Sequence, residues 1–290
     1  MATSKSNDAE FSVNKFHVRS ISLPSQTHPA TRRVEDELQK LRTWMESSAS
    51  SMTKEMICNG MRRLGELYDG MEDICHLPGI RQGLLHFEQK KRLQQHADGS
   101  IKLLDLFGTI KDAVISMKES VQDLQLAVRR RGENPTEDKV KAYIRSRKEL
   151  LKMIKKSYKE LKQVNGKCKP VPEQTELSVI LRMLNEACSI TVSLLCSIIH
   201  LTFFPEAKPS WWSFSSKTMR AISRTSYEKT WNMDVSLFTG LKEAGAEKMV
   251  IVQDQLQSIE KSLGDLENGM ECLFRRLIQN RVSLLNILSL

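Results

Sequence analysis

Histidine, cysteine and carboxylate side chains are the groups in this chain able to hold a metal or attack a substrate, and their spacing gathers none of them into a set. The cysteines are Cys58, Cys75, Cys168, Cys188, Cys196 and Cys272. No two have CxxC spacing, and no histidine stands at a zinc-ligand distance from them along the chain. His76 follows Cys75 directly, and adjacent side chains on a helix diverge, which suits a shared ion poorly. His17, His28, His86, His96 and His200 are scattered. The sequence contains no GxxxxGK[ST] loop, no GxGxxG turn after a strand pattern, and no HExxH, GxSxG or kinase catalytic-loop pattern. Acidic runs such as Glu35-Asp36-Glu37 read as solvated helix faces. The expectation is a non-enzymatic protein with no catalytic residue, metal or cofactor, whose work is done by its surfaces.

One such surface is written into the charge pattern. Residues 139–169 contain 12 Lys and Arg and two acids, a net +10 within a chain of net +9, so the basic character is local. Lys141, Arg145, Lys148, Lys152, Lys155, Lys159 and Lys162 step by four and three and share one helix face. Ile144, Leu151, Ile154, Tyr158 and Leu161 form the apolar stripe opposite. A cationic row of this kind suits an acidic protein partner, and a protein partner is the leading expectation. The alternative is an anionic membrane surface, met by the basic amphipathic helix 139–165. Nucleic acid ranks last, because only Tyr143 and Tyr158 interleave with the cations and no nucleic-acid motif accompanies them.

The elements that must position this row are helices. Hydrophobic residues make up 40% of the chain, charged 27% and aromatic only 6%, a composition that suits helices better than a sandwich or barrel. Thr31 is placed to cap a helix over Arg33–Ser47, striped by Val34, Leu38, Leu41 and Met45. A second runs from Thr53 to His76 and stops at Leu77-Pro78-Gly79. A short helix carries Leu84, Leu85 and Phe87 and ends in an Asp98-Gly99 turn. Leu103, Phe107, Ile110, Val114, Met117, Val121, Leu124 and Val128 then form a heptad seam. Arg129-Arg130-Arg131-Gly132 closes it, and Asn134-Pro135 opens the basic helix.

Asn165-Gly166, Pro170 and Pro172 mark a hinge. The next stretch, Ala187 to Phe204, has 18 residues without a formal charge, the lower limit for a membrane span. Its hydroxyls and His200 favour a buried core helix. Trp211-Trp212-Ser213-Phe214 follows as a core anchor or a membrane-interface cluster, and Met219 to Trp231 reads as a short helix and loop. The longest seam is C-terminal: Met249, Val252, Leu256, Ile259, Leu263, Leu266, Met270, Leu273, Leu277, Asn280, Leu284 and Ile287. Asn280 stands where a register-setting polar residue would, and Gly264 and Gly269 weaken the helix. The two seams can pair within one chain or drive self-association. The fold class expected is all-α, an elongated multi-helix bundle with coiled-coil-like seams. Residues 1–30 read as a disordered arm, 31–169 as an N-terminal bundle ending in the basic helix, and 170–290 as a C-terminal helical part; one continuous domain is the alternative. The thiols read as reduced and the protein as cytoplasmic, with membrane association as the alternative.

Three stretches resemble one family. They are Phe16-His17-Val18-Arg19-Ser20-Ile21-Ser22-Leu23-Pro24-Ser25 with His28-Pro29; Leu64-Gly65-Glu66-Leu67-Tyr68-Asp69 with Leu77-Pro78; and Arg276-Leu277-Ile278 with Arg281 to Leu288. Together they are similar to a plant-specific family related to the BYPASS-type developmental proteins. The resemblance implies a helical protein connected with root and shoot development and brings no catalytic residue with it.

Overall fold

The computed structural model describes residues 28–48, 52–85, 87–130, 135–165, 176–203 and 246–289. The arm before His28, the Gly166–Pro172 hinge, Trp211-Trp212 and the 219–231 segment lie outside the described residues. Among the described residues there are seven helices and no strand: α1 (Pro29–Ser48), α2 (Lys54–Cys75), α3 (Pro78–Gly83), α4 (Phe87–Arg129), α5 (Pro135–Asn165), α6 (Glu176–Phe203) and α7 (Ala246–Leu288). The protein is all-α.

Local chemistry sets most helix starts. Thr53 caps α2, its hydroxyl accepting from the Met56 N–H at 3.4 Å. Pro78 and Pro135 occupy first helical positions, where the missing N–H costs nothing. Three local expectations are corrected. Thr31 is not a cap: α1 already begins at Pro29, Thr31 is buried inside it, and the His28 ring Nδ1 accepts from the Ala30 N–H at 3.2 Å. Asp98-Gly99 is not a turn: α4 runs straight through it. The Asp98 carboxylate accepts from Gln94 one turn back at 3.0 Å, and the helix is buried at Leu93 and Ala97 before the pair and at Leu103 after it. Apolar burial on both sides of the pair outweighs the roughly 1 kcal/mol that Gly costs in a helix. No helix of its own carries Leu84, Leu85 and Phe87: Leu84 and Leu85 lie in a turn after α3 and Phe87 opens α4, with Leu85 and Phe87 85% and 76% exposed.

The C-terminal seam organises the packing. α7 lies between α2 and α4, and every seam position from Val252 to Leu284 is buried there. The α4 seam faces it, each of its positions from Leu103 to Val128 buried. Rings Phe107 and Phe274 meet with centroids 5.5 Å apart. Polar pairs fix the register along both edges. Gln122 donates to Glu260 at 2.7 Å, Lys118 to Glu267 at 2.5 Å and Lys111 to Glu271 at 2.8 Å. Numbers fall along α4 as they rise along α7, so the two are antiparallel. On the other side Lys54 meets Asp265 at 3.0 Å, Asp69 meets Arg276 at 2.8 Å and Glu72 accepts from Ser283 at 3.0 Å, so α2 and α7 are parallel.

α6 closes the square opposite α7, packing on α2 and α4 and also on α1, α3 and α5. Its Leu177–Phe203 stretch is apolar and long enough to cross a membrane, and 78% of its most apolar window is buried inside the bundle. Three of its hydroxyls are satisfied within the helix: Thr191, Ser193 and Ser197 donate to carbonyls one turn back at 2.8, 3.0 and 3.0 Å. Burial holds His200 well below the usual imidazole range, down to about 4. One continuous core draws residues from all seven helices, on both sides of the Pro170 hinge.

Among the described residues three glycines stand at close approaches, one of them Gly70, where a Cβ would lie 2.9 Å from Val34 Cγ2. A Cβ on Gly60 would sit 3.0 Å from both the Trp44 ring and Leu194, where α1, α2 and α6 converge. A Cβ on Gly269 would sit 2.5 Å from Met61 Cε, where α7 presses on α2. Gly264 has nothing within 4 Å of that position. The two seam glycines are therefore unequal. Gly264→Ala is expected to raise stability by about 0.5–1 kcal/mol through helix propensity alone. Gly269→Ala should gain nothing or lose stability, because the buried Met61 must move. Thermal melts of the two variants check the pair, and an equal gain in both would contradict the close α2–α7 contact.

Candidate functional site

α5 carries the cationic row because its other face is committed to the core. Tyr143, Ile154, Ser157, Tyr158 and Leu161 are buried against α4 and α6, with Ile144, Leu150 and Leu151 half-buried beside them. Sequence periodicity missed Tyr143, Ser157 and Leu150 on this side, since the buried arc is wider than a strict three–four stripe. α5 runs antiparallel to α4, with Ser120 Oγ and Ser146 Oγ 3.1 Å apart and Lys139 Nζ 3.9 Å from Asp123.

The outward face shows Lys141, Arg145, Lys148, Lys152, Lys155 and Lys159, all exposed. The side chain of Lys162 lies outside the described residues. At the helical rise of 1.5 Å per residue, the row from Lys141 to Lys159 extends about 27 Å. Among the described residues no carboxylate lies within ion-pair distance of Arg145, Lys148, Lys152, Lys155 or Lys159. Elsewhere the opposite habit prevails: Lys54, Lys111, Lys118, Arg182 and Arg276 each hold an acid from another helix. Like charges three and four residues apart repel by a few tenths of a kcal/mol per pair, so the row costs the fold a little stability. Among the described residues the only exposed large apolar side chain on α5 is Met153, 39% exposed.

The second set read from the sequence, the α7 seam, is placed differently. Val252, Leu256, Ile259, Leu263, Leu266, Met270, Leu273, Leu277 and Asn280 are buried by the chain's own α2 and α4, and Met249 is half-buried at the start. The structure does not bring the seam and the cationic row together.

A third feature was not legible in the sequence. A cleft of about 610 Å³ opens between α6 and α7 near the start of α4. Tyr68 of α2, His96 of α4, Asn185 of α6 and Asn280 of α7 converge on it. The Tyr68 hydroxyl lies 3.0 Å from Thr191 Oγ1, and burial pushes the phenol well above its usual range. His96 Nδ1 lies 3.1 Å from Asn185 Oδ1; burial pulls the imidazole below its usual range while this bond pulls the other way. These four polar groups come from four helices and from positions far apart in the chain, so no local motif betrays the site. Asn280 alone carried a signal, as a polar residue in an apolar seam. Among the described residues no cluster of three or more His, Cys, Asp or Glu is arranged to hold a metal.

A single helical bundle with a solvent-facing cationic edge defines the class: an all-α protein whose surfaces, not a motif-bearing pocket, carry the recognisable features. The chain belongs to the plant family described as Protein BPS1, whose sequence profile matches residues 60–287, from α2 to near the end of α7. The relation to BYPASS-type proteins suggested by the three stretches above is thereby established. The N-terminal stretch Phe16 to Pro29 lies outside the match. No curated protein and no solved structure matches the chain.

The self-repulsion of the row gives a stability prediction. Lys155 has Lys152 and Lys159 as its helical neighbours three and four residues away and no acid at those spacings. Lys155→Glu converts two repulsive pairs into attractive ones, expected to stabilise by roughly 0.5 kcal/mol in all at low salt and by less at high salt. A loss of stability in melts at both salt concentrations would mean that Lys155 has a partner within the fold.

Proposed function

We propose that this protein is a non-enzymatic interaction component connected with plant root and shoot development, docking an acidic protein partner in the cytoplasm along the exposed face of α5. The observation that carries this reading is the row Arg145, Lys148, Lys152, Lys155 and Lys159, exposed and without an ion pair among the described residues, on a helix whose opposite side is fixed in the core. A pre-ordered row of cations loses little conformational freedom of the backbone on binding and steers an acidic surface into register. The developmental connection rests on family membership.

Two other polyanions compete for the same face. A helix that lies in a lipid interface sinks its apolar side among the acyl chains. Here that side is spent on the bundle: Ile154, Tyr158 and Leu161 are 0%, 3% and 0% exposed. Lipid would be held by charge alone, which makes it the weaker reading. Nucleic acid is weaker still, because Tyr143 and Tyr158 are buried and cannot stack on bases.

The test is a charge reversal in the full chain, Lys148, Lys152, Lys155 and Lys159 all to Glu. Affinity purification from root and shoot tissue compares it with the unmodified protein. An acidic partner recovered with the unmodified chain and lost with the variant, at unchanged circular dichroism, is the expected outcome. Recovery of the same partners by both chains would remove this face from the interaction. Loss confined to sedimentation with phosphatidylserine vesicles would transfer the face to lipid.

A further inference from the structure

The cleft between α6 and α7 has the features of a ligand site and takes no part in the docking face just described. Its volume, about 610 Å³, lies in the range of small-molecule pockets. It sits where helices of a bundle commonly hold ligands, between elements that α2 and α4 keep apart. Leu103, Leu181 and Leu277 give it apolar walls, and each is almost fully buried.

Two polar features break that apolar lining. The first is Asn280. Its residue is 5% exposed, it lines the cleft, and its side-chain Nδ2 is buried with no hydrogen-bond partner. A buried amide nitrogen left unbonded costs about 1–3 kcal/mol, and a turn of the Asn280 amide toward the cleft would relieve it by bringing the nitrogen to an acceptor there. The neighbouring hydroxyl and imidazole groups bond elsewhere: Tyr68 with Thr191, His96 with Asn185, and Ser100 with Arg281 at 2.9 Å. The second feature is the rim. Lys91, Arg92 and Lys102 border the cleft against a single acid, Glu88. Among the described residues none of these three cations has an ion pair.

We infer that this cleft binds a small organic anion with an apolar body, the body lying against Leu103, Leu181 and Leu277, an acceptor atom taking the Asn280 Nδ2 hydrogen as the amide turns toward it, and the negative group facing Lys91, Arg92 and Lys102. Binding is non-covalent and involves no bond change. Arg281, anchored on the Ala97 carbonyl and Ser100, holds α7 against the start of α4 and so keeps the Asn280 wall in place.

The probe is the anionic dye 8-anilinonaphthalene-1-sulfonate, titrated into the full folded chain by fluorescence and calorimetry, with neutral N-phenyl-1-naphthylamine as the uncharged counterpart. One saturable site for the anion, at least tenfold tighter than for the neutral dye, is expected. Asn280→Leu removes the unbonded amide without opening a cavity, so it should keep or raise the melting temperature while weakening the anion at least fivefold. Lys91→Glu with Arg92→Glu alters only the rim and should weaken the anion about tenfold while leaving the neutral dye unchanged. The α5 reversal at Lys148, Lys152, Lys155 and Lys159 should leave dye binding as it was, which separates this site from the docking face. Equal affinity for the two dyes, more than one equivalent bound, or binding indifferent to both cleft variants would overturn the assignment.

Discussion

The fold depends on the burial of α7's apolar seam between α2 and α4. Isolated helices of this composition are marginal in water, and tertiary contact along an apolar face is what holds them. α7 meets that need on both flanks at once. Polar pairs edge the seam on each side, with Glu260, Glu267 and Glu271 toward α4 and Asp265 and Arg276 toward α2. Exposed pairs of this sort add little energy singly, so their contribution is register: an apolar seam slides more easily than a charged edge. With α7 seated, α2 and α4 present a second groove, and α6 fills it. α1 and α5 then cover α6 from outside.

This arrangement explains why the cationic row is available. α5 needs only one face for the core, and α4 and α6 supply most of its apolar environment. The other face is free of packing duty, and among the described residues Arg145, Lys148, Lys152, Lys155 and Lys159 on it hold no ion pair. It also explains the cleft. Four helices at the corners of a square leave space along the diagonal wherever side chains are short or drawn aside by hydrogen bonds. Near the start of α4, Tyr68, His96 and Asn185 are held by such bonds, and the volume between α6 and α7 stays open.

Much of the fold was legible in the sequence, because apolar side chains recurring at three and four are a direct image of burial. The apolar positions read along α4 and, from Val252 on, along α7 are buried in the structure, and Pro135 opens α5, both from local signals. The failures are local signals overruled by contacts distant in sequence. Asp98-Gly99 is a good turn on its own and a continuous helix once α7 packs across it. Thr31 is a good cap residue until Pro29 and His28 start the helix earlier. The cationic row was legible, because charge on an exposed face needs no partner to define it. The cleft was not, because Tyr68, His96, Asn185 and Asn280 belong to four helices and only the folded bundle makes them neighbours. Gly269 was misread for the same reason: propensity marks it as a weak point, whereas Met61 of α2 makes it a fitted contact.

The central claim is that one core, centred on the α7 seam, holds both halves of the chain. Hydrogen exchange measured helix by helix on Leu266→Ala tests it, since Leu266 is fully buried in that seam and its truncation should cost about 2–5 kcal/mol. The account expects protection in α2, α4 and α6 to fall together with that in α7, by roughly thirtyfold or more. A loss of protection confined to α7, with α2, α4 and α6 exchanging as before, would contradict it.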